Sequence, residues 1–199
     1  MMTDHDEPLD IDSQVESDDS QNQSQDDFSD HSQDELLEKL QEIAQFEWVH
    51  AHLATSGQPT IEQLTEIKAQ GYTTIVNLAL SDASNHLPNE DRLCLELGLD
   101  YIQVPLLWEC PSSSGALFVL DLIDHLVQEQ KVWVHCAKNM RVSSLIFLYR
   151  QFYLGMDLAE ADALLEKVWQ PNETWTGLIH AVRLQLQARQ STKELAELS

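Results

Sequence analysis

The stretch Val132-Trp-Val-His-Cys-Ala-Lys-Asn-Met-Arg-Val-Ser143 constrains this chain most. A short apolar run reads as a buried strand, breaks at His135-Cys136, and gives way to a helical run from Ser144. At such a strand–loop–helix junction, backbone N–H groups converge on an anion. A thiol placed there is drawn toward the thiolate, which is the nucleophilic form. Arg141 is near enough in sequence to close a bidentate fork on a phosphoryl or sulfur-bearing group over the sulfur. An arginine at a helix start is also electrostatically unfavourable unless an anion joins it. Cys136 is therefore the candidate nucleophile and Arg141 the candidate anion clamp.

The rest of the pattern supplies a scaffold for that junction. Strands are expected at 48–53, 73–79, 100–104 and 131–135, and helices at 60–70, 89–98, 113–129, 143–154, 157–168 and 173–190. Gly71, Gly98 and Gly155 each follow a helical run and read as C-terminal caps. Strands alternating with helices predict an α/β fold: a central, mostly parallel sheet of about four to five strands with helices on both faces. The cysteine loop would leave the carboxyl end of a central strand, where ligands bind in such sheets.

Ahead of this domain, residues 1–33 are Asp, Ser, Gln and Glu with almost no large apolar side chain. They cannot bury enough surface to offset ordering entropy and are expected to be a disordered acidic tail, with the domain spanning 34–199. The tail is a solubilising segment or a binder of a basic partner. Residues 34–46 place Leu36, Leu37, Leu40, Ile43 and Ala44 on one helical stripe, a lead-in helix packed on the domain. The formal charge of −23 argues against nucleic acid or an anionic membrane as a partner. No apolar run approaches a membrane span, and the start of the chain lacks the basic and apolar regions of a signal peptide. Three cysteines at no metal-like spacing fit a reducing compartment, so a cytoplasmic location without metal or cofactor is expected.

The cysteine loop resembles that of the cysteine-dependent phosphatase superfamily, which reads His-Cys-x5-Arg-Ser/Thr. The segments Ser56-Gly-Gln-Pro59, Val76-Asn-Leu78 and Val104-Pro105 are similar to those of its bacterial dual-specificity-phosphatase-like members. The likeness covers roughly residues 48–155. This chain departs from the pattern in having four residues (Ala137, Lys138, Asn139, Met140) between Cys136 and Arg141, and in carrying Asn139 where a glycine is usual. One residue at a helix start turns a side chain by about 100°. Asparagine is the non-glycine residue that best tolerates a left-handed backbone.

The resemblance implies a phosphocysteine mechanism on a phosphorylated protein or small molecule. Ala137, Lys138, Asn139 and Met140 would hold the phosphate, with His135 ordering the loop from beneath. Ser143 would cap the following helix or donate its hydroxyl to the cysteine sulfur. Such a reaction needs a general acid, often an aspartate on the loop after the preceding strand. Here that segment is Pro105-Leu-Leu-Trp-Glu-Cys-Pro-Ser112, and Glu109 is its only carboxylate, with Asp82, Glu90 and Asp91 as further candidates. Cys94 reads as core packing. Cys110 lies where it could form a reversible disulfide with Cys136.

Three functions compete. The first is a phosphatase of the tyrosine or dual-specificity type, hydrolysing a phosphate monoester. The second is a non-catalytic phosphate-binding module, which the short loop and missing aspartate favour. The third is a rhodanese-type sulfurtransferase, whose loop has this Cys-x4-Arg spacing but whose upstream Asp-Val-Arg and Gly-His-Ile-Pro-Gly-Ala segments are missing here.

Overall fold

The computed structural model describes residues 38–198. The expected acidic tail, the boundary at residue 33 and the start of the lead-in helix lie outside the described residues.

Five strands form one sheet: β1 Glu47–His50, β2 Leu53–Ser56, β3 Thr74–Asn77, β4 Asp100–Gln103 and β5 Val132–His135. Their order is β1-β2-β5-β3-β4, with β2, β5, β3 and β4 parallel and β1 antiparallel at the edge. Six helices alternate with or follow them: α1 Ile61–Ala69, α2 Glu90–Glu96, α3 Ser113–Leu126, α4 Met140–Phe152, α5 Leu158–Val168 and α6 Glu173–Glu197.

The sheet is buried on both sides, and alternation along each strand decides which core a side chain enters. Leu53, Val76, Val132 and Val134 face α3, α4, α5 and α6. Ala54, Ile75 and Trp133 face α1, α2 and the lead-in residues Leu40 and Ile43. Trp133 is fully buried, with the Phe46 ring stacked on it at 5.6 Å and the Tyr72 edge at 5.1 Å. Burying side chains of this size contributes roughly 1.5–3 kcal/mol each. Cys94 lies fully buried in this second core.

Two expectations need correction. The stretch taken as one strand at 48–53 is a hairpin, because the chain reverses at Ala51-His52. No glycine, proline or asparagine marks that turn; instead the His52 backbone N–H donates to His50 Nδ1 at 3.2 Å. The helix after the cysteine begins at Met140 rather than Ser143. Asn139 takes the left-handed conformation (φ 59) that turns the loop straight into α4. The lead-in is helical over 38–41 and then continues as turns to Phe46.

Candidate active site

β5 lies at the middle of the sheet between β2 and β3, so its end is flanked on both sides. Cys136 follows it directly and is almost wholly buried. The next residues are tied down from the β2 side: Gln58 N–H donates to the Ala137 carbonyl at 3.2 Å, and Gly57 pairs with Lys138. From the other side Asn85 Nδ2 donates to the same Ala137 carbonyl at 2.7 Å. A Cβ on Gly57 would lie 3.1 Å from both the Ala137 and the Ala44 carbonyl oxygens, which is why glycine stands there. Among the described residues, the N–H groups of Ala137, Lys138, Met140 and Arg141 take no backbone carbonyl. Those of Met140 and Arg141 belong to the first turn of α4, whose positive end favours an anion.

Cys136, Ala137, Lys138, Met140, Arg141 and Trp108 line one cavity of about 310 Å³. Arg141 is the second residue of α4 and only 9% exposed. Its Nε has no hydrogen-bond partner, and no carboxylate pairs with it among the described residues. Its guanidinium carbon lies 5.7 Å from the centre of the Trp108 ring. Trp108 is itself fixed by Trp169 and Trp175 at 5.3 and 5.4 Å, and its carbonyl accepts the Trp175 indole N–H at 3.1 Å. An unpaired buried cation is costly. At a helix N-terminus beside an aromatic wall it is a site poised for an anion.

Beneath the loop lies a polar network that the sequence alone did not reveal. Glu90, at the start of α2, is only 2% exposed. Its Oε1 accepts from Gln58 Nε2 at 2.5 Å, and its Oε2 from Asn77 Nδ2 at 2.7 Å and Tyr101 Oη at 3.1 Å. His135 Nε2 lies 3.1 Å from Oε1, close enough for a charge contact though poorly aligned for a straight hydrogen bond. Burial pushes the Glu90 carboxyl up, but His135, Gln58 and Tyr101 together outweigh it and hold the carboxyl below its ordinary range. Gln58 and Asn77 come from the Ser-Gly-Gln-Pro and Val-Asn-Leu segments. The available signal was that both motifs end at the sheet edge from which the cysteine loop leaves.

The structure separates several other candidates from the cavity. Glu90 is committed to this network and does not face the cavity as a proton donor. Glu109 is exposed and absent from the cavity lining, as are Asp82 and Asp91. Trp108, its neighbour, supplies the wall instead. Cys110 is exposed with a free thiol. Ser143 sits inside the first turn of α4 and its hydroxyl donates to the Met140 carbonyl at 3.2 Å, so it is not the cap. Asn139 holds the cap position, but its fully buried side chain turns away from the cavity. Lys138 is exposed at the cavity rim.

No protein-family model and no curated protein sequence matches this chain. Solved structures do. A candidate phosphatase (DUF442) from Shewanella putrefaciens CN-32 superposes with TM-score 0.67 at 24% identity, over 75% of this chain and 98% of that one. The core catalytic domain of the PP-IP phosphatase SIW14 from S. cerevisiae, in complex with citrate, gives TM-score 0.59 at 16% identity, over 75% and 92%. P. aeruginosa TpbA, in complex with pTyr, gives 0.53 at 15%, over 73% and 98%. The chain shares its fold with these solved phosphatase structures.

Proposed function

We propose that the chain is a cysteine-dependent phosphatase acting on a phosphate monoester of a protein or small molecule. The observation that carries this reading is the pairing, on one cavity at the start of α4, of Cys136 with a buried Arg141 that no carboxylate pairs among the described residues. The Cys136 sulfur attacks phosphorus while Arg141 and the loop N–H groups of Ala137, Lys138 and Met140 take the non-bridging oxygens. The bond to the leaving oxygen breaks, and that oxygen departs as its anion and takes a proton from solvent water. Water then attacks the phosphocysteine, the P–S bond breaks, and inorganic phosphate leaves with the thiolate regenerated. His135, held by Glu90, positions the loop rather than moving a proton.

A second reading is a non-catalytic phosphate-binding module, favoured by one specific fact: no Asp or Glu lines the cavity among the described residues. Steady-state hydrolysis of p-nitrophenyl phosphate by the purified chain, with Cys136→Ser as control and thiosulfate plus cyanide as a parallel assay, tests both. Cys136-dependent phosphate release supports the phosphatase. Phosphate or vanadate binding without release supports the binding module. Cyanide-dependent thiocyanate formation overturns both in favour of sulfur transfer.

A further inference from the structure

Asn139 differs from every other residue of the cysteine loop in where its side chain goes. Its Nδ2 donates to the Gln45 carbonyl at 2.8 Å and to Thr55 Oγ1 at 3.1 Å. A carbonyl can only accept, so the amide must present its NH2 to Gln45. Gln45 and Asn139 both hold a left-handed backbone, with φ of 53 and 59. The two strained corners are thus joined by one hydrogen bond. A second bond runs alongside, from Gly57 N–H to the Ala44 carbonyl at 2.6 Å, and Gly57 in turn pairs with Lys138. The lead-in segment that supplies both carbonyls is anchored by Leu40 and Ile43 in the second core and by Phe46 on Trp133.

A glycine at 139 would reach the left-handed conformation at less strain. The asparagine accepts that strain and leaves its Oδ1 buried without a partner. Something must offset this, and the two bonds of Nδ2 are what the structure offers. A loop with four residues between cysteine and arginine has little freedom to correct a misplaced corner. We propose that Asn139 is a positioning residue: through Gln45 and Thr55 it fixes the corner from which Met140 and Arg141 start α4, and it makes lead-in residues 40–46 a working part of the anion site. The inference rests on the reading of that site as a phosphate cradle, and it deepens it.

The test compares Asn139→Gly and Asn139→Asp with the full chain, using vanadate affinity by calorimetry and hydrogen exchange of the backbone amides. If the amide positions the loop, affinity falls in the order Asn, Gly, Asp. The glycine keeps the conformation and loses the bonds, whereas the aspartate turns an acceptor toward the Gln45 carbonyl. We expect about tenfold weaker vanadate binding for Asn139→Gly, with the melting temperature nearly unchanged. Exchange should rise together at 137–143 and 42–46, two segments far apart in sequence, and stay constant in α3 and α6. If residue 139 serves only as a left-handed corner, glycine binds vanadate as well as or better than asparagine, aspartate matches asparagine, and exchange at 42–46 does not move; that result overturns the inference. Should the full chain bind no vanadate, the phosphatase reading falls, while the paired exchange response still decides whether Asn139 couples the two segments. Thr55→Val, which removes one acceptor of the same amide, gives a smaller rise at both segments if either Asn139 variant fails to fold.

Discussion

The Arg141 guanidinium carbon stands 5.7 Å from the centre of the Trp108 ring, so among the described residues this cation is held by an aromatic face and not by a carboxylate. A carboxylate would neutralise the charge that an incoming anion needs. A ring attracts the cation by about 0.5–2 kcal/mol and leaves its N–H donors free.

Trp108→Ala should therefore weaken vanadate or phosphate binding by about tenfold, the equivalent of roughly 1.4 kcal/mol. Trp108→Phe keeps a π face and should lose about threefold or less. Isothermal calorimetry on the two variants checks this. Equal losses in both would mean that the wall acts by bulk alone.

Arg141→Lys should bind oxyanions roughly tenfold more weakly, and Arg141→Ala about a hundredfold more weakly, because lysine keeps the charge and loses the planar fork. Arg141 is part of the cavity lining, which is where an oxyanion would meet it. Wild-type affinity in Arg141→Ala would remove Arg141 from the site.

The strand–loop–helix unit and the parallel sheet were legible in the sequence because each rests on a local signal. The apolar run of Val132–Val134 reads as a strand buried on both faces, which is how it folds, and Gly71 and Gly98 take the positive φ expected of helix caps. The β1–β2 hairpin was not legible, since its turn uses a histidine side chain in place of a turn residue. α4 starts three residues earlier than the sequence predicts, because a left-handed asparagine leaves no helix signal of its own. The sequence offers Glu90 only as a further candidate for the general acid. Its burial depends on partners from β3, β4, β5 and the segment after β2, and a single sequence does not show that these converge.

Glu90 contributes to the acid limb of stability. Its carboxyl is held below the ordinary value of 4.5, so as the pH falls the unfolded chain takes up the proton first. The stabilisation is fully present above about pH 4.5 and is lost as the pH drops through the folded value. Glu90→Gln should cost about 2–3 kcal/mol at pH 7 and flatten the fall in stability below pH 4.5. Urea melts across pH 3–7 measure both. An acid limb as steep in the variant as in the wild type would assign it to other groups.

The three thiols should separate by their surroundings, because Cys136, although almost wholly buried, borders the cavity and Cys94 does not. Cys110 is exposed, Cys136 lines the cavity, and Cys94 is fully buried with its thiol pushed up to about 12 by burial, with Glu90 and Asp91 adding to the effect. Iodoacetamide at pH 7, read by mass spectrometry, should modify Cys110 and Cys136 and leave Cys94 until the protein unfolds. Phosphate should protect Cys136 and not Cys110. Labelling of Cys136 that ignores phosphate would place the anion elsewhere.

The exposed position of Glu109 bears on how the leaving group departs. A positioned general acid contributes about 10²–10⁴-fold in rate, yet Glu109 is exposed and outside the cavity that holds Cys136 and Arg141. Without such an acid, departure of the leaving oxygen depends on that oxygen's own acidity. The chain should then hydrolyse p-nitrophenyl phosphate well and simple alkyl phosphates very poorly, with kcat/KM falling steeply as the leaving-group pKa rises. Glu109→Gln should change p-nitrophenyl phosphate turnover by less than about threefold, far below the contribution of a working acid, and should leave the leaving-group slope intact. A series of substituted aryl phosphates assayed with both proteins measures the slope. A shallow slope in the wild type that becomes steep in Glu109→Gln would show that segment 105–112 carries Glu109 to the leaving oxygen during turnover.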